Sequence, residues 1–198
     1  MTRRAGEQLV AIGSSAGGPA ALAKILGGLV TPFPAAIVVV QHGDENLAAG
    51  LTDWLTQHSA LPVRLVVDGE RPEPGTVLIA ATSEHLVLTS GARLRYTMEP
   101  SDAIHRPSVD LFFQSVSRMW HGAVIGVLLT GMGRDGAVGL KALRDAGHHT
   151  IAQDQASSAV YGMPKEAAKL QAAVEILPMD GIAARLVRLV RHDAPEQP

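Results

Sequence analysis

The 198-residue sequence contains no cysteine. Disulfides, thiolate metal centres and a cysteine nucleophile are thereby excluded, and the composition suits a reducing compartment. Aromatic residues are scarce: two Trp, two Tyr and three Phe. Neither sign of charge dominates, with 17 Lys and Arg against 19 Asp and Glu, a formal net charge of −2. A nucleic-acid surface needs clustered basic residues and stacking rings, so no nucleic-acid partner is expected. No apolar run approaches the ~18 residues that span a bilayer. The start, MTRRAGEQ, leads into no apolar segment followed by a small-residue cleavage site. Membrane insertion and secretion are therefore not expected, and the expected location is cytoplasmic.

What is present is an alternation of short apolar runs with helical patterns. Strands are expected at 9–13, 35–41, 63–67, 124–130, 150–153 and 174–177, and helices at 19–29, 46–58, 108–120, 137–146, 165–170 and 182–191. Runs such as AAIVVV and AVIGVLLT have no polar alternation, as expected of parallel strands covered on both faces. The pattern predicts an α/β fold: a doubly wound, mainly parallel sheet with helices on both faces. One section, 76–98, breaks the alternation with three short strands and turns at 82–84 and 90–92. It reads as an antiparallel β meander inserted into the α/β core. One domain is expected over 9–191, flanked by flexible segments 1–8 and 192–198.

The stretch LVAIGSSAGGPAALAKIL (9–26) joins the first strand to the first helix. It admits three readings. On the dinucleotide fingerprint it supplies Gly13, Ser15 and Gly18, but the middle glycine, which lets the backbone approach a pyrophosphate, is replaced by Ser15. The second strand also ends in Gln41-His42, without the acidic residue that would hold a ribose. On the second reading, Ser15 is a nucleophile raised on a sharp strand-to-helix turn, with Gly13, Gly17 and Gly18 permitting the turn. On the third, the stretch is only a glycine-rich βα connection, with Pro19 well placed in the first helical turn.

His42 directly follows the second strand, and LLTGMGRDGAVGL (128–140) follows another. Gly131, Gly133 and Gly136 around Met132 and Asp135 would let main-chain N–H groups point into a site, with Asp135 placed to orient an imidazole. Taken singly, His42 could be a solvated loop residue and Asp135 a helix cap. Together, three strand ends carrying Ser, His and Asp favour a catalytic triad. The order Ser15, His42, Asp135 differs from the Ser, Asp, His order of α/β-hydrolases.

The blocks AIGSSAGG, VVVQH, HRPSVD, LLTGMGRDGAVGL and IAQDQASSAVYGMPKEA resemble, in order and spacing, the catalytic domain of the CheB family over residues 8–190. These are chemoreceptor protein-glutamate methylesterases that also deamidate receptor glutamines. QHGDENLAAGLTDWL and HRPSVDLFF are similar to the branch serving Wsp-type surface-sensing systems. The resemblance implies Ser15 as nucleophile, His42 as general base and then acid, and Asp135 as its orienting partner. It implies the Met132 N–H as oxyanion donor, with the Ala16 N–H as second donor, and no metal or organic cofactor. The implied substrates are methylated chemoreceptor cytoplasmic helices. Ala16 stands where the family usually has Thr, and Gln155 where Glu is expected. Family members usually carry an N-terminal receiver domain. Only eight residues precede the first strand here, so the expectation is a chain without a receiver, active without phosphorylation. A receiver fused upstream or supplied in trans is the alternative.

Two other functional classes stay open from sequence: a non-catalytic module docking receptors or a response regulator, and a nucleotide-binding protein. Arg106 is a candidate for the substrate groove, although HRPS (105–108) also reads as a lead into a helix. Met163, in YGMP (161–164), is a candidate wall of the site. Of the remaining histidines, only His148 and His149 are adjacent. Neighbours on a strand face opposite ways, so no metal site is expected. Arg185, Arg188 and Arg191 share one helical face, expected to be solvated.

Overall fold

Strands that are apolar at every position require cover on both sides, and the tertiary structure supplies it. The computed structural model describes residues 7–43, 45–81 and 84–192. In chain order the elements are β1 (Gln8–Ser14), α1 (Gly18–Gly27), β2 (Ala36–Gln41), α2 (Glu45–Thr56), β3 (Val63–Leu65), β4 (Val77–Ile79), β5 (His85–Thr89), β6 (Arg93–Thr97), α3 (Val109–Met119), β7 (Ala123–Leu128), α4 (Ala137–Asp145), β8 (His149–Gln153), α5 (Met163–Lys169), β9 (Glu175–Leu177) and α6 (Met179–His192).

Seven strands form a parallel sheet in the order β3-β4-β2-β1-β7-β8-β9. Side chains of β1 alternate between two cores. Leu9 and Ala11 face one with Phe112, Phe113 and Leu140, while Val10 and Ile12 face the other with Leu22, Leu55 and Leu186. The first core is covered by α3, α4, α5 and the β5–β6 pair, the second by α1, α2 and α6. Phe112 and Phe113 are wholly buried, and removing a ring of that kind typically costs about 3–5 kcal/mol.

Of the three strands expected across 76–98, the last two, β5 and β6, pair antiparallel, from His85↔Thr97 to Thr89↔Arg93. The first, β4, lies between β3 and β2 in the parallel sheet. The physical reason is burial: Val77, Leu78 and Ile79 are all inaccessible, as a central strand demands, whereas β5 alternates between buried and half-buried positions. The turn expected at 82–84 falls on residues 82 and 83, outside the described residues. The turn at 90–92 is present, with Gly91 and Ala92 at φ 74° and 56°.

Gln8 already belongs to β1, opposite Ala123, which shortens the segment expected to be loose. Residues 1–6 and 193–198 lie outside the described residues. Helix α6 begins at Met179, before the expected 182, and α5 at Met163, where Pro164 occupies the first turn. Arg185 is not merely solvated: its Nε contacts both carboxylate oxygens of Glu175, at 2.8 and 3.0 Å, and His149 Nε2 lies 2.6 Å from the same carboxylate.

The sheet order reverses at β1, from which the chain passes to β2 on one side and returns as β7 on the other. Such a switch point opens a crevice beyond the carboxyl ends of the strands. The residues singled out from sequence lie there.

Candidate active site

Three strand ends are joined by main-chain bonds. Ser14 pairs with Gln41, and the His42 N–H donates to the Ser14 carbonyl at 2.9 Å. On the other side the Ser15 N–H donates to the Thr130 carbonyl at 3.0 Å. Ser15 and His42 thus each stand one residue beyond neighbouring parallel strands, and 131–135 leaves from the third.

The two adjacent serines have different environments. Ser14 is fully buried, and its hydroxyl donates to Gln41 Oε1 at 2.6 Å. Ser15 is half-buried, and its hydroxyl has no hydrogen-bond partner among the described residues. The Gln41 amide also donates to the carbonyls of Ser15, at 2.9 Å, and His42, at 2.8 Å. One side chain therefore ties the serine turn to the histidine, a role the sequence did not reveal.

Asp135 lies 2.7 Å from His42, Oδ2 to Nε2, with both side chains largely buried. Its other partners all come from the start of α3. Oδ1 accepts from the Ser108 hydroxyl at 2.9 Å and the Asp110 N–H at 3.0 Å, and Oδ2 accepts from the Val109 N–H at 2.7 Å. Burial pushes the Asp135 carboxyl upward, but the hydrogen bonds from His42 and from the Asp110 and Val109 N–H groups outweigh it and hold the carboxyl below its usual range. The positive end of the α3 dipole acts in the same sense. Asp135 does not cap α4, whose N-cap is Gly136 at φ 91° without a side-chain bond.

An ionised Asp135 can only accept, so the neutral His42 ring carries its proton on Nε2 and leaves the lone pair on Nδ1. Against the open face of that ring stacks His105, with ring centroids 4.6 Å apart and planes within 14°. Behind the α3 cap, buried His85 accepts from the Ser108 N–H at Nδ1 (3.1 Å) and donates from Nε2 to the Pro100 carbonyl (3.2 Å). Neither His85 nor His105 was legible from sequence. Ser-Val-Asp ahead of LFF is a helix N-cap signal that could have marked Ser108 as part of an anion-holding turn.

The 131–135 loop closes the other side. Neither the Met132 N–H nor the Ala16 N–H has a hydrogen-bond acceptor among the described residues. The Met132 side chain is 71% exposed and Ala16 is exposed. Gly131 is held by bonds from Gly162 and Met163 to its carbonyl, at 3.0 and 2.9 Å. A Cβ at Gly131 would collide with the Met163 sulfur and lie 2.8 Å from Ser15 Cβ, so a glycine is required there. Gly13 and Gly18 flank the serine turn, Gly17 is the N-cap of α1, and Gly133 follows Met132.

Met163 itself is wholly buried, which corrects the expectation that it walls a substrate groove: it supports the loop from behind. The Arg106 guanidinium donates to the Ser101 carbonyl at 2.8 Å. No helix among the described residues is long and apolar enough to cross a membrane.

Residues 10–186 match the CheB methylesterase family. The chain is 61% identical over 183 residues to protein-glutamate methylesterase/protein-glutamine glutaminase 2 of Pseudomonas syringae pv. syringae (strain B728a), covering 92% of this chain and 54% of that protein. It is 62% identical over 184 residues to protein-glutamate methylesterase/protein-glutamine glutaminase 1 of Cupriavidus pinatubonensis (strain JMP 134 / LMG 1197), covering 93% and 54%. The chain thus spans about half the length of the curated relatives it matches. The crystal structure of the Thermotoga maritima CheB methylesterase catalytic domain aligns with a TM-score of 0.86 at 36% identity, over 92% of this chain and 98% of that one.

Proposed function

The chain belongs to the CheB methylesterase family, and on that premise we propose that it is a serine hydrolase acting on protein side chains. It removes methyl esters from glutamates of chemoreceptor-type proteins, releasing methanol, and deamidates receptor glutamines at the same site. The observation that carries this reading is the 2.7 Å contact between His42 Nε2 and Asp135, made where His42 and Ser15 project from adjacent strand ends.

Ser15 Oγ attacks the ester carbonyl while His42 Nδ1 takes its proton, and Asp135 stabilises the imidazolium through Nε2. The free N–H groups of Met132 and Ala16 suit the oxyanion, and one such donor is typically worth about 3–4 kcal/mol in the transition state. His42 returns the proton to the departing methanol. Water, deprotonated by the same nitrogen, then hydrolyses the acyl-serine. With a glutamine substrate the leaving group is ammonia and the acyl-enzyme is the same. No step draws on a metal or an organic cofactor.

The proposed substrates are the cytoplasmic helices of methyl-accepting receptors, which places the reaction in the cytoplasm. A receiver domain, in the same polypeptide or supplied in trans, is the proposed regulatory partner. The test is methanol release from methylated receptor by the chain and by Ser15→Ala. Release by the first and none by the second supports the reading; no release by the unaltered chain overturns it.

A further inference from the structure

His105 stands on neither side of the proton path: it is not the base, it is not the carboxylate, and among the described residues its side chain makes no hydrogen bond. Its ring nevertheless lies flat on His42, with centroids 4.6 Å apart and an interplanar angle of 14°. It also borders the loop of Met132, since a Cβ built at Gly133 would be 3.8 Å from His105 Nε2. The same short segment, 105–110, also supplies the Ser108 hydroxyl and the Val109 and Asp110 N–H groups that hold Asp135.

We infer that His105 is a positioning residue for His42: its stacked ring fixes the plane of the imidazole so that Nδ1 faces Ser15. The physical argument starts from what holds His42. Its ring has one side-chain hydrogen bond, at Nε2, and a single bond at one ring atom leaves rotation of the ring plane poorly restrained. A flat partner on one face removes that freedom and excludes water from that face. Displacing a reacting group by about 1 Å can lower the rate about a hundredfold, so control of the ring plane bears directly on turnover. Since the contact is one of faces and not of protons, an aromatic ring without titratable groups should serve as well.

This inference rests on the serine-hydrolase reading, and the experiment separates the two. Labelling of Ser15 by a fluorophosphonate probe reports activation of the serine by His42 without any receptor. The unaltered chain should label and Ser15→Ala should not; if the unaltered chain fails to label, the hydrolase reading and the inference fall together. Given labelling, His105→Ala should slow it about tenfold or more, and should lower kcat for methanol release while leaving KM within about twofold. His105→Phe, which keeps the flat ring, should restore labelling to within about threefold of the unaltered chain. His105→Ala labelling at the full rate overturns the inference while leaving the hydrolase reading standing. So does His105→Phe that folds, by its thermal melt, yet is as slow as His105→Ala, because the imidazole would then be needed for something other than stacking.

Discussion

Asp110 and Asp135 each hold the helix that the other belongs to or precedes. Asp135, just before α4, accepts from the Val109 and Asp110 N–H groups that open α3, and Asp110 of α3 accepts from the Gly139 N–H of α4 at 2.6 Å. Two helix starts are thereby satisfied by each other's carboxylates. Asp135 Oδ2 serves both the exchange and His42, accepting from the Val109 N–H and lying 2.7 Å from His42 Nε2.

Asp135→Asn tests that exchange. An amide cannot accept at both atoms: an NH2 group in the Oδ2 place faces His42 and the Val109 N–H, and one in the Oδ1 place faces the Ser108 hydroxyl and the Asp110 N–H. Turnover should fall by at least about a hundredfold, because the imidazole loses the acceptor that sets its tautomer. Stability should fall by about 1–3 kcal/mol, the cost of a buried donor left without its partner. Methanol release and urea unfolding would measure the two effects. A variant with normal turnover would remove Asp135 from the chemistry.

The two carboxylates have opposite pH signatures. Asp135 is held low, so its contribution is present above the ordinary aspartate range and is lost as pH falls through its lowered value. Asp110 is raised from the usual 3.8 to about 6, chiefly by burial, with the Asp135 charge adding to it. Between those values the folded chain holds a proton that the unfolded chain has released, so stability falls as pH rises through that window. Asp110→Asn keeps an oxygen for the Gly139 N–H and cannot ionise. Unfolding curves from pH 4 to 7 should show a flatter profile for this variant and, at pH 7, stability at least equal to that of the unaltered chain.

Ser14 and Ser15 should separate cleanly by substitution. Ser15→Ala should abolish methanol release with little change in unfolding free energy, since its hydroxyl has no partner among the described residues. Ser14→Ala should keep catalysis and lose about 1–3 kcal/mol, because Gln41 Oε1 is left without its donor. The reverse pattern would assign the chemistry to Ser14.

Gly131→Ala should fold less stably by about 1–3 kcal/mol and lose activity, since the new methyl meets both the Met163 sulfur and Ser15 Cβ. Combined with Met163→Ala, the loss should be smaller than the sum of the two single losses, by about 0.5–3 kcal/mol, because the two side chains compete for one space. Activity should stay low in the double variant, as the clash with Ser15 remains. Strict additivity in urea unfolding would mean that Gly131 and Met163 do not share that space.

The parallel sheet was legible because continuous apolar runs such as 36–40 can be stable only when covered on both faces, and each expected strand of that kind lies in the seven-stranded sheet. From sequence β4 reads with the hairpin because it is close to β5 and β6, while the unbroken burial of its Val-Leu-Ile run places it in the interior. Helix starts drifted by two or three residues at α5 and α6, where proline and a preceding strand end set the first turn. Ser15, His42 and Asp135 stood out because each follows a strand or borders a glycine-rich turn. Gln41, His105, Ser108 and Asp110 did not, since their parts are defined by neighbours distant in the chain.

The sequence by itself determined the class of sheet, the strand ends that hold the candidate residues and the resemblance to CheB catalytic domains, because burial patterning and motif spacing are local properties of the chain. Only the tertiary structure decided which serine keeps a free hydroxyl, which nitrogen of His42 faces Asp135, and that Asp135 is anchored by α3 and not by its own helix. Those choices rest on hydrogen bonds between residues 25 to 93 positions apart. Contacts at such separations arise only when strand order brings the three strand ends side by side.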